Sequence, residues 1–327
     1  MTSPDYTALR ENAAIGAIAP RGQVAVAGPD RAGFLHGFLT NDIANLAAGH
    51  GCYAAWLTPQ GRMLCDMHVL ESGDMILLDV PDAERDSATA RLEQFHFSED
   101  VQVEPLTSLR GVWIHGPAAP RMVAAAGAGD TSTFASWTQY QNARLEIAGV
   151  PAVVARIDEL AVPGFVVYVD AQHENHVRSA FVFAGALEAT SESLEAARLE
   201  AAYPVFGVDM TSETIPLEAG IEQRAISMTK GCYVGQEVII RVLHRGHGRV
   251  ARRLVRMQIE GRTPARGAKV FSGDREIGFV TSAATSPRMG PLALGYVHRD
   301  FADDGTALEI DADAERVRAH VNQPSTS

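Results

Sequence analysis

Apolar and polar residues alternate with two different periods along this chain, and the places where the period changes outline its elements. Gly22–Ala27 alternates as a short strand does; Pro29-Asp30 then opens a run in which Phe34, Leu35, Phe38, Leu39, Ile43 and Leu46 recur at helical spacing, until Gly49–Gly51 stops it. Apolar runs at Tyr53–Leu57 and Met63–Leu70 flank Thr58-Pro59-Gln60-Gly61-Arg62, whose proline and glycine predict a hairpin. Met75–Val80 reads as a strand leading into a helix over Asp82–Phe95. Strands follow at Val101–Glu104 and Gly111–His115, an Ala-rich helix at Ala118–Ala128, and further strands at Leu145–Ile147, Val153–Ile157 and Val166–Asp170. Helices are expected over Val177–Leu187, Ser193–Tyr203 and Gly235–Leu243. None of the strand runs has the continuous apolar character of a parallel sheet, so the pattern predicts α+β units with antiparallel sheets. Beyond Gly246 the chain breaks into short β segments punctuated by glycine and proline: Leu254–Ile259, Lys269–Phe271, Ile277–Ser282, Leu292–Val297, Leu308–Ile310 and Val317–Val321. That rhythm predicts a small barrel or sandwich, with a boundary near Gly246–Ala251.

At 327 residues, two or three packed units are expected rather than one core. With 46% hydrophobic and 21% charged residues, only the Gln323–Ser327 tail reads as disordered. A net charge of −12 argues against nucleic acid or an anionic membrane as the main partner. Lys230 and Lys269 are the two lysines among 28 basic residues, which singles out Lys230 by its rarity. Three cysteines, Cys52, Cys65 and Cys232, form no CxxC pair and cannot make a disulfide framework, so a reducing, cytoplasmic setting is expected. Met1–Ile18 carries no signal-like pattern, and no apolar run approaches membrane-spanning length.

The densest chemistry lies in Ser227–Leu243, a polar, glycine-rich turn running into an apolar-faced segment. Cys232 precedes the expected helix, whose free N–H groups and dipole favour a thiolate, as does Lys230 two residues away. The competing reading, a small packing cysteine, is equally compatible with the residues alone.

Lys230-Gly231-Cys232-Tyr233-Val234-Gly235-Gln236-Glu237 resembles the signature of the YgfZ family, relatives of the mitochondrial iron–sulfur assembly factor and of the glycine cleavage aminomethyltransferase (GcvT). Phe-Leu-His-Gly-Phe-Leu-Thr-Asn-Asp at 34–42, Leu-Thr-Pro-Gln-Gly-Arg at 57–62 and Arg-Leu-Glu-Ala-Ala-Tyr-Pro-Val-Phe-Gly at 198–207 occur in the same order as in that family. The resemblance implies an α+β fold: a ring of three subdomains of aminomethyltransferase type, two interwoven over residues 1–246 and a small β-barrel over 247–327. It also implies tetrahydrofolate, or a folate derivative, in a central channel. Family function then points to maturation or repair of iron–sulfur proteins, and indirectly to tRNA thiolation, with assembly proteins or client apoproteins as partners.

By the same resemblance Glu200 aligns with the glutamate that receives pterin N–H groups, a task a carboxylate suits because the ring edge offers adjacent donors; otherwise it is a solvated helix-surface residue. Asp66 aligns with the aspartate that aminomethyltransferases place near the reactive folate nitrogen; it shares a face with Leu64 in an alternating strand, pointing either inward or to solvent. Lys230, Tyr233, Gly235, Gln236 and Arg241 complete the implied folate-binding set, with Cys232 and Asp66 as the chemical groups. Six arginines between 241 and 256 (241, 245, 249, 252, 253 and 256), with His244 and His247, form a locally basic stretch. Arg241 and Arg245 suit a folate glutamate tail or another anion, whereas Arg252, Arg253 and Arg256 read as a solvated face. Three cysteines exclude a four-thiolate cluster within one chain, and no resident metal is expected. Three functions remain open: a folate-binding accessory protein acting through Cys232, a folate-dependent aminomethyl or one-carbon transferase using Asp66 and Glu200, and an RNA-binding module, which the net charge and the lack of an aromatic-rich strand motif oppose.

Overall fold

The computed structural model describes residues 2–127, 129–245, 249–313 and 315–324. Two antiparallel sheets meet face to face. One has five strands, in the order His50–Leu57, Met63–Glu71, Met75–Pro81, Arg21–Ala27 and Gln102–Pro105. The other has six, in the order Leu187–Glu188, Ala14–Ile15, Leu109–His115, Gly164–Asp170, Val150–Arg156 and Asn142–Ile147; its one parallel pairing is between the first two. The chain therefore contributes Ala14–Ile15 to the second sheet before it builds the first, then returns.

Strict alternation makes each sheet two-faced. In Met63–Glu71, Cys65, Met67 and Val69 pack outward beneath the helices Arg31–His36 and Arg85–Gln94. The intervening Asp66, His68 and Leu70 point to the seam between the sheets. In Gly164–Asp170, Phe165, Val167 and Val169 face the helices Ala119–Ala126 and Glu174–Phe183, while Val166 and Tyr168 face the seam. Both sheets are thus buried on both faces, which is why their strands look richly apolar although antiparallel.

All six C-terminal β segments form strands, Arg252–Glu260, Lys269–Ser272, Arg275–Ser286, Gly290–His298, Ala307–Ala312 and Glu315–Val321, and they close into a barrel. Val255, Met257, Val270, Val280, Ile310 and Val321 fill it. The mixed α and β content and the six-stranded C-terminal barrel are as expected from the sequence. Gly246 and His247, at the expected boundary, and Ser325–Ser327 of the tail lie outside the described residues.

Two expected helices are shorter than their periodicity suggests. The first covers only Arg31–His36; Gly37 ends it, and Leu39 instead bridges to Trp56. Thr40 accounts for the break: its hydroxyl accepts the Ala55 amide at 2.9 Å and donates to the Ala225 carbonyl at 2.6 Å, a tertiary role incompatible with continuing the helix. Phe34, Leu35, Leu39 and Ile43 are buried all the same, so the pattern reported burial rather than helix. The helix expected over Gly235–Leu243 is Gln236–Ile240, followed by a wider π turn at Arg241–Arg245. Short helices at Pro4–Glu11, Thr131–Ser136, Pro216–Ala219 and Glu222–Ala225 were not expected.

The helix Ser191–Glu200 ties the sheets to the barrel. Arg198, almost wholly buried, donates to Asp209 at 2.6 Å, and Asp209 also accepts Thr281 and Ser282 hydroxyls from the barrel at 2.6 and 2.7 Å. Removing one member of such a buried pair strands the other charge. Asp209→Ala is therefore expected to lower unfolding free energy by about 3–5 kcal/mol in urea titration; a loss below about 1 kcal/mol would show that the junction is not held by this carboxylate.

Candidate functional site

The seam between the sheets buries a cluster of ionisable groups. Arg21 reaches Asp79 at 3.0 Å and Asp66 at 3.4 Å. Asp66 also accepts the Tyr53 hydroxyl at 2.7 Å, and Gln23 donates to Asp79 at 2.9 Å. His68, without solvent exposure, lies 3.0 Å from Asp79 through Nδ1, and its Nε2 lies 3.8 Å from Glu159 and 3.5 Å from the Tyr203 hydroxyl. Burial holds the imidazole below its ordinary range despite the Asp79 hydrogen bond. A neutral ring then gives its Nδ1–H to Asp79 and leaves Nε2 as an acceptor.

Burial, the largest influence, pushes Glu159 up to about 8, with Arg21 pulling it down and Asp79 adding to the rise. Burial thus favours the neutral acid form of Glu159, whose Oε1 lies 3.8 Å from His68 Nε2, beyond hydrogen-bond length. Charge counting agrees: the Arg21 and Arg224 guanidiniums balance the Asp66 and Asp79 carboxylates, leaving no cation for a third anion. Arg224 lies over the rings of Tyr53 and Tyr203, 4.5 and 4.2 Å from their centroids. Arg21, Asp66, Trp113, Glu159 and Tyr203 line a cavity of about 10 Å³, the volume one water needs.

A second assembly lies around Lys230. Its ammonium donates to the carbonyls of His36, Leu39 and Asn41 at 2.6, 2.5 and 2.9 Å, and burial brings it down to about 8. All three of its donors are thus taken by the segment 34–42, so the ammonium is directed there and not at the Cys232 sulfur. Gly235, at φ +85°, closes on the Thr58 carbonyl, which a Cβ would meet at 2.5 Å; Gly61, at φ +75°, leaves no room for a Cβ beside Val238. The segments 34–42, 57–62 and 230–237 therefore converge. Tyr233 is buried and its phenol pushed up to about 12 by that burial, while Gln236 accepts the Tyr233 amide at 3.3 Å. Cys232 and Arg241 are exposed.

The expected site residues thus occupy three places. Asp66 faces the seam and is buried. Lys230, Tyr233, Gly235 and Gln236 hold the loop that carries Cys232. Glu200 is buried at the barrel junction, against the alternative of a solvated surface residue: it accepts from Tyr6 and Ser286, pairs with Arg10 at 2.5 Å, and lies 3.1 Å from Arg288. Arg256, read as solvated, is also buried, because its guanidinium reaches the Glu200 and Asn322 carbonyls. Arg252 pairs with Glu218 at 3.2 Å. The side chains of His244 and Arg245, and His247 entirely, lie outside the described residues.

Sequence reasoning missed Arg21, His68, Asp79, Glu159 and Arg224. His68 and Asp79 carried a signal: Asp79 is the lone ionisable residue of its apolar strand run, and His68 follows Asp66 by two positions in another, both at seam-facing positions of the alternation. Glu159 and Arg224 stand in loop and short-helix segments without periodicity. Among the described residues no three His, Cys, Asp or Glu side chains gather so as to hold a metal ion, and no helix is long and apolar enough to cross a membrane.

Comparison with known proteins gives a consistent result. Residues 1–230 match the GCVT N-terminal domain, and residues 252–326 match the glycine cleavage T-protein C-terminal barrel domain. An aminomethyltransferase of Rubrobacter xylanophilus is 30% identical over 296 residues, 90% of this chain and 78% of that protein. One from Geobacillus kaustophilus is 26% identical over 97% of this chain and 88% of its own. Glycine cleavage system aminomethyltransferase T from Bartonella henselae has the same fold, with a TM-score of 0.86 at 22% identity, over 98% of this chain and 87% of that one.

The protonated Glu159 has a measurable consequence. A carboxyl raised from 4.5 to about 8 contributes stability that is fully present below 4.5, where folded and unfolded chains both hold the proton. The contribution drains away as pH rises toward 8, because the unfolded chain gives up its proton first. Glu159→Gln keeps the neutral shape and loses nothing, so its stability should gain on wild type by about 1.4 kcal/mol per pH unit across this window in urea unfolding. A difference independent of pH would mean that Glu159 ionises normally.

Proposed function

The chain belongs to the glycine cleavage T-protein family, and on that premise we propose that it is a tetrahydrofolate-dependent transferase of an aminomethyl or other one-carbon group, with Asp66 at the reacting centre. The observation that carries this reading is Asp66 itself: a carboxylate fixed on both oxygens, by Tyr53 and by Arg21, on the central face where the two sheets meet. The donor set suits a folate ring, which presents both N–H groups and oxygen and nitrogen acceptors. Asp66 accepts, Glu159 donates, and the Trp113 and Tyr203 rings line the cavity. The cavity as it stands has room for one water, so a ring enters only if its lining moves apart.

When bound, tetrahydrofolate supplies the amine nitrogens that carry the one-carbon unit. The chain's own part is proton control and exclusion of water. Asp66 receives an N–H and orients it. Burial keeps the proton on Glu159, and Asp79 holds His68 through Nδ1–H, so the unprotonated Nε2 on the Glu159 side of the ring can accept a proton and has none to give.

A second reading is favoured by one observation. Cys232 is exposed on a loop that Lys230, Gly235 and Gln236 pin in place, in a segment of the YgfZ type. On that reading the protein is an accessory factor for iron–sulfur proteins, and the thiol is its working group. The two readings separate by variant. Asp66→Asn is expected to lower one-carbon loading of tetrahydrofolate from an aminomethyl donor by about 10²–10⁴-fold, with circular dichroism unchanged, while Cys232→Ala retains the rate. No calorimetric heat with tetrahydrofolate and wild-type protein would sink the transferase reading. Loss of iron–sulfur enzyme activities in cells carrying Cys232→Ala, with the Asp66 variant behaving as wild type, would establish the accessory reading in its place.

A further inference from the structure

A second cleft, of about 270 Å³, lies where the segment 208–214 meets the barrel, and it shares no lining residue with the seam cavity. Its wall is aromatic. Phe279 and Tyr296 are paired across neighbouring strands with ring centroids 5.7 Å apart, and Arg252 lies over the Tyr296 ring at 4.6 Å. Val280 points into the barrel core, so its neighbour Phe279 points out of it, and Phe279 is 39% exposed. One exposed aromatic is ordinary on a surface. This one lines a concavity, and the charges there do not cancel. Asp209 is met by Arg198 at 2.6 Å, Glu213 pairs with Arg62, and Arg252 pairs with Glu218 at 3.2 Å. That leaves Arg266, for which the described residues supply no carboxylate. Its Nη2 donates to the Val208 carbonyl at 3.0 Å, which holds the guanidinium at the cleft, while Nε and Nη1 have no protein partner among the described residues.

We propose that this cleft binds a small aromatic monocarboxylate, its ring laid on Phe279 and its carboxylate held by Arg266. Charge selects the class first: one uncompensated cation, in a chain of net charge −12, calls for one negative charge. A guanidinium presents parallel N–H groups that match the two oxygens of a carboxylate. The exposed Phe279 face gains most from a second ring. The volume falls just under the roughly 300–1,000 Å³ of sites for drug-sized ligands, so a molecule of one or two fused rings suits it. Arg252 is not the anion's donor, because Glu218 takes its Nε and Nη2 and Tyr296 covers its face; it completes the wall. The site stands whether or not the seam binds folate.

The experiment is titration of wild type, Arg266→Gln, Arg266→Lys and Phe279→Ala with 2-naphthoate, followed by the probe's own fluorescence. 2-Naphthamide serves as the uncharged counterpart and inorganic phosphate as a competing bare anion. Arg266→Gln is expected to weaken 2-naphthoate by roughly tenfold to a hundredfold, Arg266→Lys by less, and the amide should bind to wild type as weakly as the acid binds to Arg266→Gln. Phe279→Ala should cost about threefold to tenfold. Both side chains are exposed, so unfolding midpoints should not move; if Arg266→Gln lowers its midpoint, Arg266→Lys and Phe279→Ala decide the matter. No saturable binding of 2-naphthoate up to about 10 mM would overturn the proposal. So would binding that neither position alters, because the acid would then sit elsewhere. Displacement by equimolar phosphate, with Phe279→Ala behaving as wild type, would reduce the cleft to a bare-anion contact and overturn it as well.

Discussion

Arg21 is the residue on which the centre of the molecule depends. A guanidinium buried between two sheets is tolerated only if carboxylates meet it, and it is met from two strands at once, by Asp79 and Asp66. Those contacts require Arg21–Ala27, Met63–Glu71 and Met75–Pro81 to pair in the register observed. A slip of one residue would turn Asp66, His68 and Asp79 into the apolar layer beneath the helices and bring Cys65, Met67 and Leu78 to the seam. The ion cluster thus acts as a register lock. Its charge balance also bears on Glu159: two cations for two carboxylates leave no partner for a third anion, and burial raises that carboxyl above its ordinary range.

The fold was legible wherever one physical signal dominated. The six barrel strands declared themselves because alternation, glycine and proline all pointed the same way between 252 and 321. The stretch after Asp30 did not, because Thr40 spends its hydroxyl on Ala55 and Ala225, residues far away in sequence, and no local periodicity records that. The same holds at the site. Asp66 was singled out by resemblance and by its place in an alternating strand, and of the two orientations left open it takes the inward one. His68 and Asp79 carried the same alternation signal, an ionisable residue among apolar neighbours. Glu159 and Arg224 had no local signature; their roles arise from burial beside groups contributed by other segments.

The motif that first drew attention proves to be half architecture. Lys230 spends its three donors on the carbonyls that close the turn after Arg31–His36. Gly235 and Gly61 let the hairpin at 58–62 close against the helix Gln236–Ile240. Three segments scattered over some 200 positions carry similar residues because they pack on one another, so part of their resemblance to relatives is demanded by packing alone. Cys232 is the exception: it is exposed in a loop where a small polar residue would satisfy the same geometry, so packing gives no reason for its sulfur.

Glu200 shows the limit of carrying a role across by motif. A carboxylate offers about four lone-pair positions, and Tyr6, Ser286, Arg10 and Arg288 supply four partners. Three of these partners belong to the buried or half-buried junction with the barrel, while the Arg288 side chain is 61% exposed and its contact correspondingly screened. Any ligand N–H that reaches Glu200 must therefore displace a partner, and Arg288 is the one that leaves at least cost because water can receive it. Glu200 is thus first a pin between helix and barrel.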